Sequence, residues 1–362
     1  MPELFVGLMS GTSLDGIDAV VADFSSGARV VKGIVLPFDD ELRKSLLQLI
    51  DHSESASLDE IGQVDARLGI AYAHAAQAVL DTCGAGADNI AAIGCHGQTI
   101  RHRPDAAIPF TWQLGDPGRI AAMTGIPVVA DFRRMDMALS GQGAPLVPAF
   151  HSAVFGSEEE LRVVVNIGGI ANITRLGPTV TGYDTGPGNG LMDAWIHHNR
   201  GEAFDNDGAW AATGKVDEEL LAGLAADPFF QKAPPRSTGR EHFNLQWLLE
   251  YLAGRRIPAE HVQATLLALT AESIAREVRR CEAQRVLLCG GGARNRMLRE
   301  ALGVSLKGIP VQLTDDYGLN ADFVEAAAFA WFARERLAGR PGNLPSVTGA
   351  SRAAILGGVY LP

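Results

Sequence analysis

Short apolar runs separated by polar and glycine-rich turns recur along the chain and predict alternating strands and helices. Residues 4–6 and 19–22 are apolar and flank a turn rich in Gly, Ser, Thr and Asp, which predicts a hairpin of two strands. A helical region is expected over about residues 39–80, with strands at 90–93 and 127–130 and a short helix near 117–124. This alternation is typical of α/β architecture.

The second half of the chain repeats the strand, glycine turn and strand of its opening. The stretch at 162–165, an arginine followed by three valines, leads into a turn that contains Gly168 and Gly169, and a further strand follows. A third glycine cluster, at 290–292, separates an apolar strand at 286–289 from a helical stretch at 293–302. The repeat favours a chain built from two related halves, with the glycine-rich stretch at 141–145 as a candidate domain boundary.

Length and composition favour a globular protein of two domains. The chain has 362 residues, of which 47% are hydrophobic, and this composition supports a large core. Its net charge of −11 opposes the approach of a polyanion, so nucleic acid is not an expected partner. No apolar run reaches the ~18 residues of a membrane-spanning helix, and the N-terminus lacks a signal-peptide pattern. The expected location is therefore cytoplasmic, without a membrane partner.

The three glycine clusters together indicate a bound nucleotide. Successive backbone N–H groups in such turns can form an anion-binding nest, although glycine in a single turn more often serves only to allow a positive φ. A Walker A motif is absent from the sequence. A dinucleotide-binding fingerprint is an alternative at Gly290, because Asp315 follows the next predicted strand, but Asn295 occupies the third glycine position.

Seven stretches, in order along nearly the whole chain, resemble the motifs of the anhydro-N-acetylmuramic acid kinases. They are residues 7–18 (GLMSGTSLDGID), 96–102 (HGQTIRH), 130–134 (ADFRR), 141–151 (GQGAPLVPAFH), 166–169 (NIGG), 184–189 (DTGPGN) and 289–292 (CGGG). The resemblance implies an α/β fold with two ribonuclease-H-like, actin-like domains that face a central nucleotide cleft. We expect these domains at 1–138 and 139–339. The tail of about 340–362 is a candidate final segment of the first domain.

The reaction implied by the resemblance consumes 1,6-anhydro-N-acetylmuramic acid, ATP and water, and yields N-acetylmuramic acid 6-phosphate and ADP. It is a phosphotransferase reaction of peptidoglycan recycling, and the family's members are typically homodimers. Two alternatives stay open. One is another sugar kinase of the same superfamily, and the other is a non-enzymatic ATPase module of the actin or Hsp70 type.

The resemblance assigns ATP binding to the glycine turns. The expected nucleotide contacts are Gly11, Thr12, Ser13, Leu14, Asp15, Gly16, Ile17, Asp18, Gly168, Gly169, Gly290, Gly291 and Gly292. Mg²⁺ is expected because phosphoryl transfer needs the phosphate charge neutralised. Its ligands are not evident from the residues, and contact through water to Asp184 or Asp18 is the suggestion the sequence offers.

Asp184 is the expected catalytic base by resemblance. It follows a predicted strand and precedes the turn at 185–188, so its carboxylate should project from that turn. A carboxylate there could equally serve as a turn or helix cap. The chemistry needs a base, since opening the anhydro bridge requires that the attacking water lose a proton.

The remaining expectations concern the sugar. Glu325 is the single polar residue between 323 and 333, which suggests a carboxylate on a buried helix, although a narrow exposed stripe would also explain it. Adjacent arginines after a predicted strand could pair with the lactyl carboxylate or simply be solvated. By resemblance the substrate-binding residues are Gln98, Thr99, Arg133, Arg134 and Glu325.

Overall fold

A computed structural model describes residues 3–11, 14–51, 56–239 and 241–362 of the chain. The strands are β1 (Leu4–Met9), β2 (Gly16–Asp23), β3 (Arg29–Pro37), β4 (Ile90–Cys95), β5 (Gln98–Arg103), β6 (Phe110–Leu114), β7 (Val128–Ala130), β8 (Arg162–Ile167), β9 (Ile170–Leu176), β10 (Thr181–Pro187), β11 (Arg285–Cys289), β12 (Val311–Leu313) and β13 (Gly358–Tyr360). The helices are α1 (Asp40–Asp51), α2 (Leu58–Cys83), α3 (Pro117–Thr124), α4 (Arg134–Ala138), α5 (Val147–Phe155), α6 (Gly190–Arg200), α7 (Glu218–Ala225), α8 (Leu245–Leu252), α9 (Ala259–Arg280), α10 (Arg296–Ser305), α11 (Val324–Leu337) and α12 (Pro345–Thr348). Within the described ranges, no helix combines the length and the apolar content needed to cross a bilayer.

The chain divides into two compact units, which we call unit 1 (Met1–Val154 with Phe323–Pro362) and unit 2 (Phe155–Asp322). The sheet of unit 1 has the order β13-β7-β4-β1-β2-β3. Strands β1, β2 and β3 form an antiparallel meander, whereas β4 lies parallel to β1 and β7 lies parallel to β4. The β1–β2 pair is the predicted first hairpin, since its apolar residues are buried in the sheet.

Helix α11 packs directly on the sheet of unit 1, and two glycines allow the approach. A Cβ atom at Gly7 in β1 would lie 1.9 Å from the carbonyl oxygen of Ala326, and one at Gly94 in β4 would lie 1.9 Å from that of Phe329. The helix is buried along most of its length, as its apolar sequence predicts. On the same sheet, α2 contributes a further face of buried side chains, and its N-terminus is capped by Ser57 through a capping box with Glu60.

The sheet of unit 2 has the order β10-β9-β8-β11-β12, and it repeats the arrangement of unit 1. Strands β8, β9 and β10 form an antiparallel meander, and β11 and β12 extend it in parallel from β8. In both sheets, therefore, three antiparallel strands precede two parallel ones in the same spatial order. This confirms the predicted α/β class and the predicted duplication into two ribonuclease-H-like halves.

The compact units divide the chain at positions other than the expected domain boundaries. Residues 139–154 and 323–339 lie in unit 1, whereas the sequence-based boundaries at 138 and 339 group them with the second domain. The reason is packing: α11 lies against β1 and β4, and the stretch at 141–145 is tied to unit 1 where the Gly143 N–H donates to buried Asp136 at 2.8 Å. The tail also returns to unit 1, where β13 pairs with β7.

Candidate functional site

The first glycine turn connects β1 to β2 in unit 1. Within it, Leu14 is buried and has a φ of +55°, its N–H donates to the Gly11 carbonyl at 3.3 Å, and its own carbonyl accepts from Arg43 Nε at 3.1 Å. Asp15 is exposed at the end of the turn. The turn thus has a fixed left-handed backbone residue, which is the kind of geometry that turns successive N–H groups to one side.

Part of the predicted phosphate-binding segment is placed differently or not described. Thr12 and Ser13 lie outside the described residues. Gly16, Ile17 and Asp18 belong to strand β2 rather than to the turn, because they pair with residues of β3. A Cβ at Gly16 would lie 2.6 Å from the carbonyl oxygen of Leu36 on that neighbouring strand, so packing within the sheet already requires glycine there.

A buried polar cluster lies at the start of this turn. The Ser10 hydroxyl donates to Gln98 Oε1 at 2.7 Å and also contacts the Tyr72 hydroxyl, and all three side chains are buried. The structure therefore directs the side chain of Gln98, predicted to bind sugar, toward Ser10. Thr99 is half-buried, and its Oγ1 accepts from Gln113 Nε2 at 3.1 Å.

Arg133 lies at the centre of a second polar cluster of unit 1. Its Nη1 donates to the Gly143 carbonyl at 2.8 Å, and its Nε donates to His96 Nε2 at 3.1 Å. Burial lowers the pKa of Arg133 to about 10, although the nearby carboxylates of Glu325 and Asp136 raise it. Burial, and then the charge of Arg133, hold the pKa of His96 well below its ordinary value, so the imidazole is neutral and can accept this bond.

Glu325 lies in the first turn of α11 and is half-buried. Burial raises its pKa, and the positive charge of Arg133 opposes that rise. None of the described residues donates a hydrogen bond to its carboxylate. A partly buried carboxylate whose charge is balanced mainly by one arginine can accept a hydrogen bond from a ligand hydroxyl or amide.

Arg134, unlike its neighbour, is exposed. Its Nε lies 3.4 Å from Asp131 Oδ1, in an ion pair that water reaches from both sides. The two side chains line a cavity of about 190 Å³ in unit 1, together with His96 and Trp112. Because an exposed ion pair contributes little energy, the guanidinium of Arg134 can exchange Asp131 for another carboxylate at small cost.

In unit 2, Asp184 lies within β10, not beyond its end as the sequence suggested. The strand continues to Pro187 because its residues pair with β9, and the register shifts between Asp184 and Gly186. This is a β-bulge, and Gly186 supplies a φ of +145° that few other residues adopt. A bulge changes the direction of the side chain beside it, so the Asp184 side chain does not follow the regular alternation of side chains along the strand.

The carboxylate of Asp184 is held by a segment that the sequence analysis missed. The Thr238 N–H donates to Asp184 Oδ2 at 2.9 Å, and the Ser237 hydroxyl donates to the same oxygen at 3.2 Å. Burial raises the pKa of Asp184 above its ordinary value, whereas these two donors and the charge of Arg236 lower it. The PPRSTG run at 234–239 marks a loop, but no local signal connects it to a carboxylate 54 positions away.

The second glycine turn joins β8 to β9 and packs against the start of α6. Gly188 N–H donates to the Gly169 carbonyl at 3.0 Å, and Asn189 N–H donates to the Gly168 carbonyl at 2.9 Å. A Cβ at Gly188 would lie 2.1 Å from the Gly168 oxygen, so this contact needs glycine. The turn is thereby fixed next to the strand that carries Asp184.

The third cluster follows β11 and leads through a 3₁₀ turn, Gly291–Arg294, into α10. Gly290 has a φ of +82°, and a Cβ there would meet Asn166 Oδ1 at 2.4 Å, whereas a Cβ at Gly291 would meet open space. Packing therefore requires glycine at Gly290 but leaves the Gly291 backbone open to a ligand. Asp315, the acid of the dinucleotide alternative, instead pairs with Arg294 at 3.1 Å.

The strand order of the unit 2 sheet also disagrees with a dinucleotide-binding fold. That fold places its glycine fingerprint after the first strand of a parallel sheet, whereas β11 is the fourth strand of a sheet that opens with an antiparallel meander. Within unit 1 the structure thus groups Arg133 with Glu325, and Gln98 with the first turn. Within unit 2 it places Asp184 on the strand that follows the Gly168–Gly169 hairpin.

Comparison of the sequence with known proteins gives one family. A family model described as "Anhydro-N-acetylmuramic acid kinase" matches residues 3–362. A protein of that name from Saccharophagus degradans is 50% identical over 370 residues and covers 100% of both chains. Another, from Xanthomonas axonopodis pv. citri, is 49% identical over 365 residues, covering 99% of this chain and 98% of its own. Among solved structures, component A of the (R)-2-hydroxyglutaryl-CoA dehydratase of Acidaminococcus fermentans has a TM-score of 0.49 at 13% identity, covering 93% of this chain and 99% of its own.

Proposed function

The chain belongs to the anhydro-N-acetylmuramic acid kinase family, and from this membership we propose that it phosphorylates 1,6-anhydro-N-acetylmuramic acid with ATP. The products are N-acetylmuramic acid 6-phosphate and ADP, and the reaction serves peptidoglycan recycling in the cytoplasm. The single structural observation that best supports this chemistry is the carboxylate of Asp184, half-buried and bound through one oxygen.

Asp184 acts as the general base. Water attacks C1 of the anhydro sugar and gives its proton to the Asp184 carboxylate, while the bond between C1 and O6 breaks. The freed O6 attacks the γ-phosphorus of ATP, and the bond from that phosphorus to the β,γ-bridging oxygen breaks to release ADP. Because burial raises the pKa of Asp184, its carboxylate is a stronger base than an exposed aspartate.

The glycine turns bind ATP. In unit 1 the turn that begins at Gly11 contacts the β- and γ-phosphates through backbone N–H groups, and in unit 2 the Gly168–Gly169 turn does the same. The open backbone at Gly291 allows close approach of the ribose and the α-phosphate. These roles follow the family resemblance and agree with the local backbone geometry of each turn.

Mg²⁺ accompanies the ATP. The described residues hold no group of three or more His, Cys, Asp or Glu side chains arranged for a metal ion. Asp184 or Asp18 would hold the ion through water, alongside the phosphate oxygens of ATP, because Mg²⁺ often uses only one or two protein carboxylates. When bound, it neutralises the charge of the phosphates.

The sugar is bound by residues of unit 1. Arg134 binds the lactyl carboxylate, because its guanidinium is exposed and only weakly paired with Asp131. The Arg133 guanidinium already binds His96 and a backbone carbonyl. Its role is therefore to hold this polar cluster of unit 1 in place and to balance the charge of Glu325. Glu325 and Thr99 contact sugar oxygens or the acetamide, and Gln98 supports the turn through Ser10.

The assembly expected for this enzyme is a homodimer, with neither nucleic acid nor a membrane as a partner. Light scattering coupled to size-exclusion chromatography measures the mass directly. A mass near 77 kDa, twice the 38.4 kDa chain, is expected, and a mass equal to one chain would contradict the dimer.

Oxygen labelling tests the proposed reaction against an ordinary sugar kinase. An ordinary kinase deprotonates an existing hydroxyl, so solvent oxygen never enters its product. In ¹⁸O-labelled water, a single turnover on the anhydro sugar should place the label at C1 and leave the phosphoryl group unlabelled, when read before anomeric exchange. Label in the phosphate, or phosphorylation of N-acetylmuramic acid without use of the anhydro sugar, would overturn the coupled reaction. ATP turnover without any sugar would favour an ATPase module.

The role of Asp184 is tested by the Asp184→Asn variant. Turnover should fall by several orders of magnitude while ATP binding stays near normal, because the amide cannot accept the proton of water. Asp207→Asn is the matched control: Asp207 is exposed in the same unit and has a φ of +54°, which asparagine tolerates. Turnover near wild type in Asp184→Asn would remove this residue from the mechanism.

A further inference from the structure

Arg236 is a buried cation next to Asp184, and the reaction proposed above gives it no role. Its side chain is 2% exposed, and its Nη2 donates to Glu277 Oε1 at 2.8 Å, where the Glu277 side chain is also 2% exposed. A buried ion pair adds little net stability over an apolar pair of similar size, because both charges lose their hydration. Stability alone is therefore a weak explanation for this pair.

The backbone of Asp184 is bound by Arg236 in both directions. The Arg236 Nε donates to the Asp184 carbonyl at 3.1 Å, and the Asp184 N–H donates to the Arg236 carbonyl at 3.0 Å. Strand β10 lies at the edge of its sheet, so its outer backbone groups have no strand to pair with. Arg236 supplies the missing partners at the β-bulge, where the strand is otherwise least constrained.

The next two residues bind the carboxylate itself. Because Arg236 is held, Ser237 and Thr238 follow at a fixed position and both donate to Asp184 Oδ2. No described residue donates to Oδ1. The Glu277 side chain, on α9, is itself held by a second hydrogen bond. Its other carboxylate oxygen accepts from the Tyr183 hydroxyl at 3.1 Å.

We propose that Arg236, anchored by Glu277, is a positioning residue for Asp184: it holds the 236–238 segment against the edge strand so that Oδ2 is bound and Oδ1 faces the attacking water. The inference rests on the proposed role of Asp184 as the base. Arg236 itself touches neither water nor sugar in this scheme, and it acts through the backbone and carboxylate of Asp184.

Arg236 also affects the charge of the base. Its positive charge lowers the pKa of Asp184, and Glu241 raises it. The base works in its deprotonated form, so a change that raises the pKa of Asp184 moves the acidic limb of the kcat–pH profile to higher pH. A residue with only a structural role would leave that limb in place.

The first test is Arg236→Lys, which keeps the charge but loses the planar fork that reaches both Glu277 and the Asp184 carbonyl. We expect kcat to fall by roughly tenfold to a hundredfold, with the KM for the sugar within about twofold of wild type. Arg285→Lys is the matched control, since Arg285 pairs with Glu160 at 2.7 Å in the same unit and contacts none of these residues. Assays run well below each variant's unfolding temperature, with folding verified by circular dichroism.

The second test, needed if the lysine variant fails to fold, is the paired variant Arg236→Met with Glu277→Gln, which removes both members of the buried ion pair. Arg276 and Arg280, whose guanidinium groups lie 3.4 and 3.9 Å from Glu277, lose a carboxylate partner but stay partly exposed to water. Its acidic limb should move to higher pH, because Arg236 contacts Asp184 itself and lowers its pKa, whereas the Glu277 carboxylate contacts Arg236. An unchanged kcat in the lysine variant, or an unmoved limb in the paired variant, would show that Arg236 is structural only.

The outcomes separate this inference from the proposed function. If Asp184→Asn is inactive while the Arg236 variants behave as wild type, only the positioning role fails. If Asp184→Asn is active, or if wild type does not phosphorylate the anhydro sugar, the proposed base or the proposed reaction fails first.

Discussion

Two carboxylates show how the surroundings of a single residue set its chemistry. Burial raises the pKa of both Asp184 and Glu325. Among the described residues, Ser237 and Thr238 donate hydrogen bonds to Asp184, whereas none donates to Glu325, whose charge is balanced by that of Arg133. A carboxylate with fixed donors keeps one orientation, which suits a base that must meet water at one point. A carboxylate without donors is available to bind a ligand.

Removal of the Ser237 hydroxyl tests this account at the scale of one residue. That hydroxyl lowers the pKa of Asp184, so Ser237→Ala should raise the pKa and move the acidic limb of kcat to higher pH. At pH values above the limb, kcat should fall less than in Arg236→Lys, because the Thr238 N–H still binds Asp184 Oδ2. Ser157→Ala, in the same unit and away from Asp184, is the control. If the acidic limb of kcat stays in place or moves to lower pH in Ser237→Ala, the Ser237 hydroxyl does not lower the pKa of Asp184.

At the scale of elements, the contact of α11 with β1 and β4 decides where Glu325 lies. The helix approaches the sheet so closely that the strands need glycine at positions 7 and 94. Strand interiors normally disfavour glycine, so its presence marks a close approach of another backbone. The first turn of the same helix places Glu325 close enough to Arg133 for each charge to shift the pKa of the other side chain.

Gly94→Ala should therefore destabilise the protein. The added Cβ would lie 1.9 Å from the Phe329 carbonyl oxygen, and α11 has to shift away, at a cost of about 1–3 kcal/mol or more. Gly62→Ala is the control, since Gly62 is an exposed position of α2 with open space at its Cβ and should gain up to about 1 kcal/mol. Urea unfolding of both variants measures the difference. Equal stability of the two would mean that the helix adapts without cost.

At the scale of the whole molecule, unit 1 is built from two distant parts of the chain and unit 2 from one continuous segment. Residues 323–362 supply α11 and β13 to unit 1, and they follow the whole of unit 2 in the sequence. The core of unit 1 therefore closes only after unit 2 has been synthesised.

A chain truncated after Asp322 tests this dependence. Without α11, the face of β1 and β4 that it covers loses its apolar contacts, so amides in both strands should lose protection from hydrogen exchange. Amides in β8 and β11 should keep their protection, because unit 2 is continuous and complete. A second chain, truncated after Leu356, lacks only β13 and should keep β1 and β4 protected. Protection of these strands in the shorter chain would show that α11 is dispensable.

Local signals in the sequence were sufficient for much of this protein. Apolar runs and glycine turns predicted both hairpins, the strand before Gly290 and the short helix α3, because each depends on neighbouring residues. The ordered motifs were long enough to identify the family, which the full-length match confirms. They also selected Asp184, Arg134 and Glu325 as site residues, and these roles stay predictions.

Tertiary structure decided what depends on residues far apart in the chain. Ser237 and Thr238 reach Asp184 across more than fifty positions, and no local pattern joins them. Strand pairing placed Gly16 inside β2 and continued β10 past Asp184, since a ladder ends where its partner ends. The division into units followed the packing of α11, not the glycine-rich stretch at 141–145. Hydrophobic periodicity shows that a helix has a face to bury, but only the folded chain determines which strands that face covers.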